Sequence, residues 1–207
     1  MIIQPIVEGQ GDEVAVRLLL SRLRDEAQAW GLEVARPHRR PRTKLVKKDS
    51  LQSAVGVAAL RDDCAGILVL FDADDDCPGE LAPTLEQWAQ EAAGGKPCAV
   101  VMANREYEAW FLASIEALRG TAAILPDATS HPDPEAPRDA KGELERRMPH
   151  AASYSPTVDQ VRLTARLDLE IAYRRCRSFR KLVCAFGELV AAAGMCPAVW
   201  PPATWVQ

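Results

Sequence analysis

At 207 residues, 48% hydrophobic and 26% charged, the chain has the make-up of an ordinary folded domain, with enough apolar material for one large core or a core plus a small appendage. No apolar run reaches the ~18 residues of a membrane helix, and the start lacks the basic-then-apolar pattern of a signal peptide. A cytoplasmic protein without a membrane partner is therefore expected. The net charge of -4 is unevenly spread, so it does not exclude a polyanionic partner.

In chain order, an apolar run from Ile2 to Val7 exits at Glu8 and reads as a strand, followed by a Gly9-Gln10-Gly11 turn. Asp12 is positioned to cap a helix that helical spacing extends from Glu13 to about Trp30, with Gly31 as its stop. Leu32 to Ala35 reads as a short strand, and a helix starting at Asp49 or Ser50 reaches about Arg61. Ile67 to Phe71 is unbroken and apolar, as in a central parallel strand covered on both faces. Then come a helix over Leu81 to Ala93, a strand over Cys98 to Met102 and a helix over Glu106 to Leu118. This alternation predicts an α/β fold: a mostly parallel central sheet of about four strands flanked by helices. Ile124 to Pro137 is a proline-rich connector. Helices near Ala140 to Met148, Val158 to Arg175 and Phe179 to Ala193 follow, forming a C-terminal helical extension expected to pack on the sheet.

The six cysteines are scattered without ligand spacing to one another or to histidine, and read as reduced, partly buried thiols. Two basic sets stand out. One runs from Arg36 to Lys48 with no acid and supplies Arg39, Arg40, Arg42 and Lys44 as candidate nucleic-acid contacts. The other lies between Arg162 and Lys181. The alternative for both is a solvated surface. His38, His131 and His150 lie in polar segments and are given no catalytic role.

The acids carry the functional signal. Glu8 leaves the first strand, and Asp72, Asp74, Asp75 and Asp76 follow the central one. Carboxylates crowded at strand ends repel one another unless a cation or protons relieve them, and strand carboxyl ends are where open α/β sheets place ligands. Magnesium takes oxygen ligands at about 2.1 Å and is often held by one or two carboxylates plus phosphate. Asp72 and Asp74 can both face inward from a tight loop, and Glu8 on a neighbouring strand would stand close, since strands lie about 4.8 Å apart. Asp75 and Asp76 add two charges, which leaves open which aspartates face the ion; Asp76 stands with Glu8, Asp72 and Asp74 as a candidate ligand. A calcium loop fails, because its register puts Cys77 at the required glycine and Pro83 at the final glutamate. An acidic turn capping the next helix is the bland alternative. Glu106 and Glu108, two apart on one helix, should point in different directions, so that only one joins the site. Trp110 and Phe111 read as core.

Val7-Glu8-Gly9 followed by Phe71-Asp72-Ala73-Asp74 resembles the Toprim domain of topoisomerases, bacterial primases and certain nucleases. The closer resemblance is to a bacterial Toprim-like family encoded beside AAA- or ABC-type ATPases in phage-defence loci. Its pieces match Val7-Glu8-Gly9, Glu108-Ala109-Trp110, Lys141 and Arg177-Ser178-Phe179. The resemblance implies a Toprim-like core over residues 1–122, with the connector and helical extension over 123–207. It also implies catalytic roles for Glu8, Asp72, Asp74 and Glu108, with Glu8 handling a proton or bridging metal. Asp72 and Asp74 would hold Mg2+ or Mn2+, and Lys141 and Arg177 would contact phosphate. Partners so implied are nucleic acid and a separate AAA- or ABC-type ATPase, with a homo-oligomer allowed.

Strand passage would need a nucleophilic tyrosine in a module not recognisable here, and primase action would need absent partner domains. The expectation is thus a magnesium-dependent nuclease. The alternatives are a haloacid-dehalogenase-like phosphatase using Asp72 as nucleophile, a receiver-like phospho-acceptor domain with Asp72 as acceptor, and a non-catalytic Toprim-like scaffold or sensor. Against the phosphatase stand the seventy or so residues preceding the motif; against the receiver, Lys96 precedes a strand rather than following one.

Overall fold

A computed structural model describes residues 1–195 and 199–206. Five parallel strands form its sheet: β1 (Ile2–Val7), β2 (Glu33–Val34), β3 (His38–Arg39), β4 (Cys64–Asp72) and β5 (Cys98–Ala103). β2 and β3 pair with the two halves of β1 in turn, Ile2 opposite Glu33 and Ile6 opposite His38, so they share one edge position. The spatial order is then β2/β3, β1, β4, β5. The chain leaves β1 toward one edge and later returns to β4 on the other side, so the order reverses between β1 and β4.

Both faces of the sheet are covered, with the two-residue period of a strand visible in what each buries. Ile3, Val7, Leu68, Leu70, Ala99 and Val101 join one core, while Ile2, Ile6, Ile67, Val69, Phe71 and Val100 join the other. On the second face lie α3 (Lys48–Ala59) and α4 (Pro78–Ala92). On the first lie α1 (Gln10–Glu26), α5 (Glu108–Ala113), α8 (Pro156–Thr164), α9 (Leu169–Arg175) and α10 (Arg177–Ala192). The C-terminal helices therefore share the core of the sheet. Trp110 and Phe111 are fully buried in it; the Trp110 indole donates to Ser178 Oγ at 2.8 Å and Phe179 meets its ring edge-on.

Several elements depart from their expected bounds for local reasons. α1 starts three residues early, so Asp12 stabilises it from inside, accepting the Gly9 N–H at 2.9 Å. It stops at Glu26, ahead of Gln28 at φ +54° and well before Gly31. Gly11 is required by packing: a Cβ there would lie 2.6 Å from the Pro156 carbonyl oxygen at the start of α8. The helix expected over 106–118 begins at Glu108 and breaks at Ser114 before α6 (Ile115–Leu118). The helix expected over 158–175 is two, because Asp168 caps a fresh start by accepting the Ile171 N–H. The basic stretch holds β3 and a short α2 (Arg42–Leu45), and α7 (Ala140–Glu145) precedes α8. Cys64, Cys77, Cys98, Cys176 and Cys184 are free thiols, and Cys196 lies outside the described residues. No helix among the described residues is long and apolar enough to cross a membrane.

Candidate functional site

The pairing of Val7 with Leu70 fixes the site. Glu8 leaves β1 one residue later, and Asp72 ends β4 two residues later. Neighbouring strands run about 4.8 Å apart, so both carboxylates emerge together at the carboxyl end of the sheet, where its strand order reverses. Open α/β sheets form ligand crevices at that position.

Asp72 turns inward. Its Oδ1 accepts the Tyr107 N–H at 2.8 Å, and its Oδ2 lies 3.6 Å from Lys141 Nζ. The Lys141 ammonium also lies 2.9 Å from Glu106 Oε1 and 3.2 Å from Glu108 Oε2. Glu106 holds the lysine twice, since its Oε2 accepts the Lys141 backbone N–H at 2.9 Å. Glu108 is 1% exposed; its Oε2, though close to Lys141, is outside hydrogen-bonding geometry and has no other partner. Glu106 and Glu108 thus meet on one cation, contrary to the expectation that a shared helix would separate them. Glu106 precedes the helix, on a bend made by Arg105 at φ +62°.

Three carboxylates around one ammonium leave an excess of buried negative charge. Burial raises Asp72 well above the usual carboxylate range; Glu108 adds to the effect, Lys141 opposes it, and Glu8 contributes further. Burial also raises Glu108, against the pull of Lys141. For Lys141, burial works to lower proton affinity, but Glu108, Asp72 and Glu106 outweigh it and raise it. Glu8 is pushed up to about 7, first by burial and then by Asp12 and Asp74. Its Oε2 is buried and without a hydrogen-bond partner. Near neutral pH Glu8 is therefore divided between its two protonation states.

The remaining aspartates stand apart from this cluster. Asp74, at φ +50°, is ion-paired with Arg42 at 3.2 Å, and Asp76 is bound by the same guanidinium. Arg42 also donates to the Asp72 and Ala73 carbonyls at 3.1 and 3.0 Å, so it clamps the aspartate loop. Asp75 faces Arg105 and Arg138. Among the other basic candidates, Arg39 lies 3.7 Å from Glu13, while Arg40 and Lys44 flank a shallow cavity of about 320 Å³. Arg177 is exposed at the start of α10.

Sequence reasoning gave no site role to Asp12, Glu106, Arg105 or the tyrosines. Tyr154 is nearly buried, its hydroxyl lacks a partner, and burial with Glu108 raises it above the ordinary phenol range. The sequence offered one signal, the Glu106-Tyr107-Glu108 triplet right after a strand.

Fold and site together define a class: a parallel α/β protein with acids gathered at the carboxyl ends of two adjacent strands. The chain belongs to the family described as a domain of unknown function (DUF4276), which matches residues 7–186. No curated protein and no solved structure matches it.

Proposed function

We propose that this chain is a Toprim-like phosphodiesterase that hydrolyses DNA or RNA with Mg2+ or Mn2+, working as the effector beside a separate AAA- or ABC-type ATPase. One observation carries the reading. A glutamate after the first strand and an Asp-x-Asp after a later strand emerge side by side, and the glutamate keeps a buried oxygen without a partner.

Among the described residues, no three His, Cys, Asp or Glu side chains converge as a closed protein cage requires. That geometry does not suit zinc or an all-protein calcium site. It does suit an ion that takes one or two carboxylates and fills its other positions with water and phosphate. The partnerless Glu8 Oε2 and the raised proton affinities of Glu8 and Asp72 mark a pocket short of positive charge. Glu8 and Asp72 would hold Mg2+ or Mn2+, which would supply charge neutralisation and polarisation of phosphate and water.

The chain's own groups do the rest. Glu8, pushed up to about 7 in the absence of a cation, is partly protonated near neutral pH and would give up that proton when an ion binds. The Tyr107 N–H fixes Asp72 in one rotamer. Lys141 holds Asp72, Glu106 and Glu108 together and limits their repulsion. Arg42 ties down the backbone of the loop that carries Asp72 and Asp74.

The test is incubation with plasmid, single-stranded DNA and RNA in Mg2+ or Mn2+, with and without the neighbouring ATPase. Cleavage should appear and fall by at least ~10²-fold in Glu8→Ala and Asp72→Ala. Turnover of small phosphomonoesters alone would replace the reading with a phosphatase. A non-catalytic scaffold is favoured by one observation, Lys141 already standing as a cation among the acids, and inactivity on every substrate with the ATPase present would establish it.

A further inference from the structure

A cavity of about 550 Å³ opens beside the aspartate loop, where β5 forms the edge of the sheet. The starts of α4 and α10 flank it from opposite faces, and the end of β5 forms its back wall. Asp75 and Asp76 line it, and Asp76 is held by the Arg42 guanidinium that also ties down the Asp72 and Ala73 carbonyls, so the cavity borders the loop that follows Asp72. Its volume lies within the roughly 300–1,000 Å³ of ordinary small-ligand sites, a size that suits one nucleotide unit and not a duplex.

The lining separates into an apolar part and a charged part. Met102 and Pro83 give it apolar surface, and the Asn104 side chain offers both donor and acceptor groups. Four carboxylates also line it: Asp75 and Asp76 are in ion pairs, Glu135 is hydrogen-bonded to neutral groups and keeps its charge, and Glu86 is in no ion pair among the described residues. Asp75 is paired with Arg105 and Arg138, and Asp76 with Arg42. Glu135 accepts the Arg177 and Ser178 backbone N–H groups, both at 2.9 Å. Glu135 therefore takes the amides at the start of α10, and any further anion must use side chains. Arg177 and Lys181 serve that purpose: they lie four apart on one helix face, both exposed, and neither is in an ion pair among the described residues. They equal in number the two lining carboxylates without an ion pair among the described residues, Glu86 and Glu135, and of the two only Glu135 already holds hydrogen bonds.

We propose that this cavity seats a single unstacked nucleotide flanking the scissile phosphate, with Arg177 and Lys181 on its phosphate and Met102 and Pro83 against its base. The substrate class is then single-stranded or locally splayed nucleic acid. This inference rests on the phosphodiesterase reading, and the experiment separates the two.

Cys77 lines the cavity and is exposed, which makes its thiol a reporter independent of activity. In a Cys184→Ser, Cys196→Ser background, Cys77 is the one exposed thiol among the described residues. Its alkylation by iodoacetamide is followed in EDTA with increasing nucleoside 5′-monophosphate. At ten times the Kd about one site in eleven is open, so labelling should slow roughly tenfold. The protection should disappear in Arg177→Ala, Lys181→Ala and also in Ala82→Trp, which fills the cavity from α4. Absence of protection, or equal protection by inorganic phosphate alone, overturns the proposal. Protection by nucleotide in a protein that cleaves no nucleic acid would keep the cavity and discard the nuclease. Cleavage without protection would do the reverse.

Discussion

Two groups of carboxylates meet at the end of β4, and they behave differently. Asp72, Glu106 and Glu108 share one lysine in a largely buried pocket, whereas Asp74, Asp75 and Asp76 stand on the exposed loop with three arginines between them. The chemical groups are the same, but their surroundings are not. In the pocket, burial raises Asp72 and Glu108, and Lys141 offsets it only in part. On the loop, Asp75 is held below the usual range by its hydrogen bond from Arg138 and by the same guanidinium's charge. Carboxylate count alone therefore says little about a site; the ratio of acids to cations, weighted by burial, separates a reactive cluster from a structural one.

The largest effect should come from removing the pocket's only ammonium. Lys141→Met leaves Glu106, Glu108 and Asp72 facing one another with no cation, and breaking such a network typically costs 3–5 kcal/mol when fully buried. The Lys141 side chain is 37% exposed, so a loss of about 2–4 kcal/mol in urea unfolding is expected. Adding Glu108→Gln to Lys141→Met should recover part of that loss by removing one buried charge. If the single variant were as stable as the parent, the acids would not depend on Lys141 and the contrast with the loop would fail.

Glu8 gives the pH dependence. Its proton is bound with a value of about 7 in the folded protein against 4.5 as the ordinary value, so the folded state binds the proton more tightly than the unfolded one. The resulting stabilisation is complete below about pH 4.5 and is lost as pH rises through about 7. After discounting for partial exposure, it amounts to roughly 1–2 kcal/mol. In EDTA, the parent's Tm should fall by several degrees between pH 5 and 8 beyond what Glu8→Gln shows. Identical slopes would mean that Glu8 titrates as an ordinary surface acid. Adding Mg2+ at pH 8 should raise the Tm of the parent more than that of the variant.

How far the sequence predicts this arrangement depends on whether a feature is local. β1, β4 and β5 were legible because apolar runs buried on both faces leave few other choices, and the placing of Glu8 and Asp72 at their ends followed from that. β3 was not legible: two polar residues form it, held by pairing to β1 and by the Arg40 N–H on the Val7 carbonyl. Arg42 read as a free basic residue, since nothing in Arg36–Lys48 signals that a short helix turns it onto a loop thirty residues later. The union of Glu106 with Lys141 spans 35 positions and depends on a left-handed residue at Arg105, which no periodicity reveals. The break between α8 and α9 was within reach, because Asp168 is an N-cap residue four positions past the end of α8.

The smallest effect should come from the loop. Asp75 is exposed and paired with exposed Arg138 and half-buried Arg105, an arrangement that solvent screens and that contributes little to stability. Asp75→Asn should leave Tm unchanged within error at low and high salt alike. It removes the charge that pairs Arg138 and Arg105, the latter lining the cavity beside α10, so its consequence should be electrostatic. Affinity for a short single-stranded oligonucleotide in EDTA should rise by a fewfold at low ionic strength, and the gain should shrink as salt is added. A variant that lost stability without gaining affinity would show that Asp75 belongs with the buried acids after all, and the division between pocket and loop would have to be redrawn at residue 76.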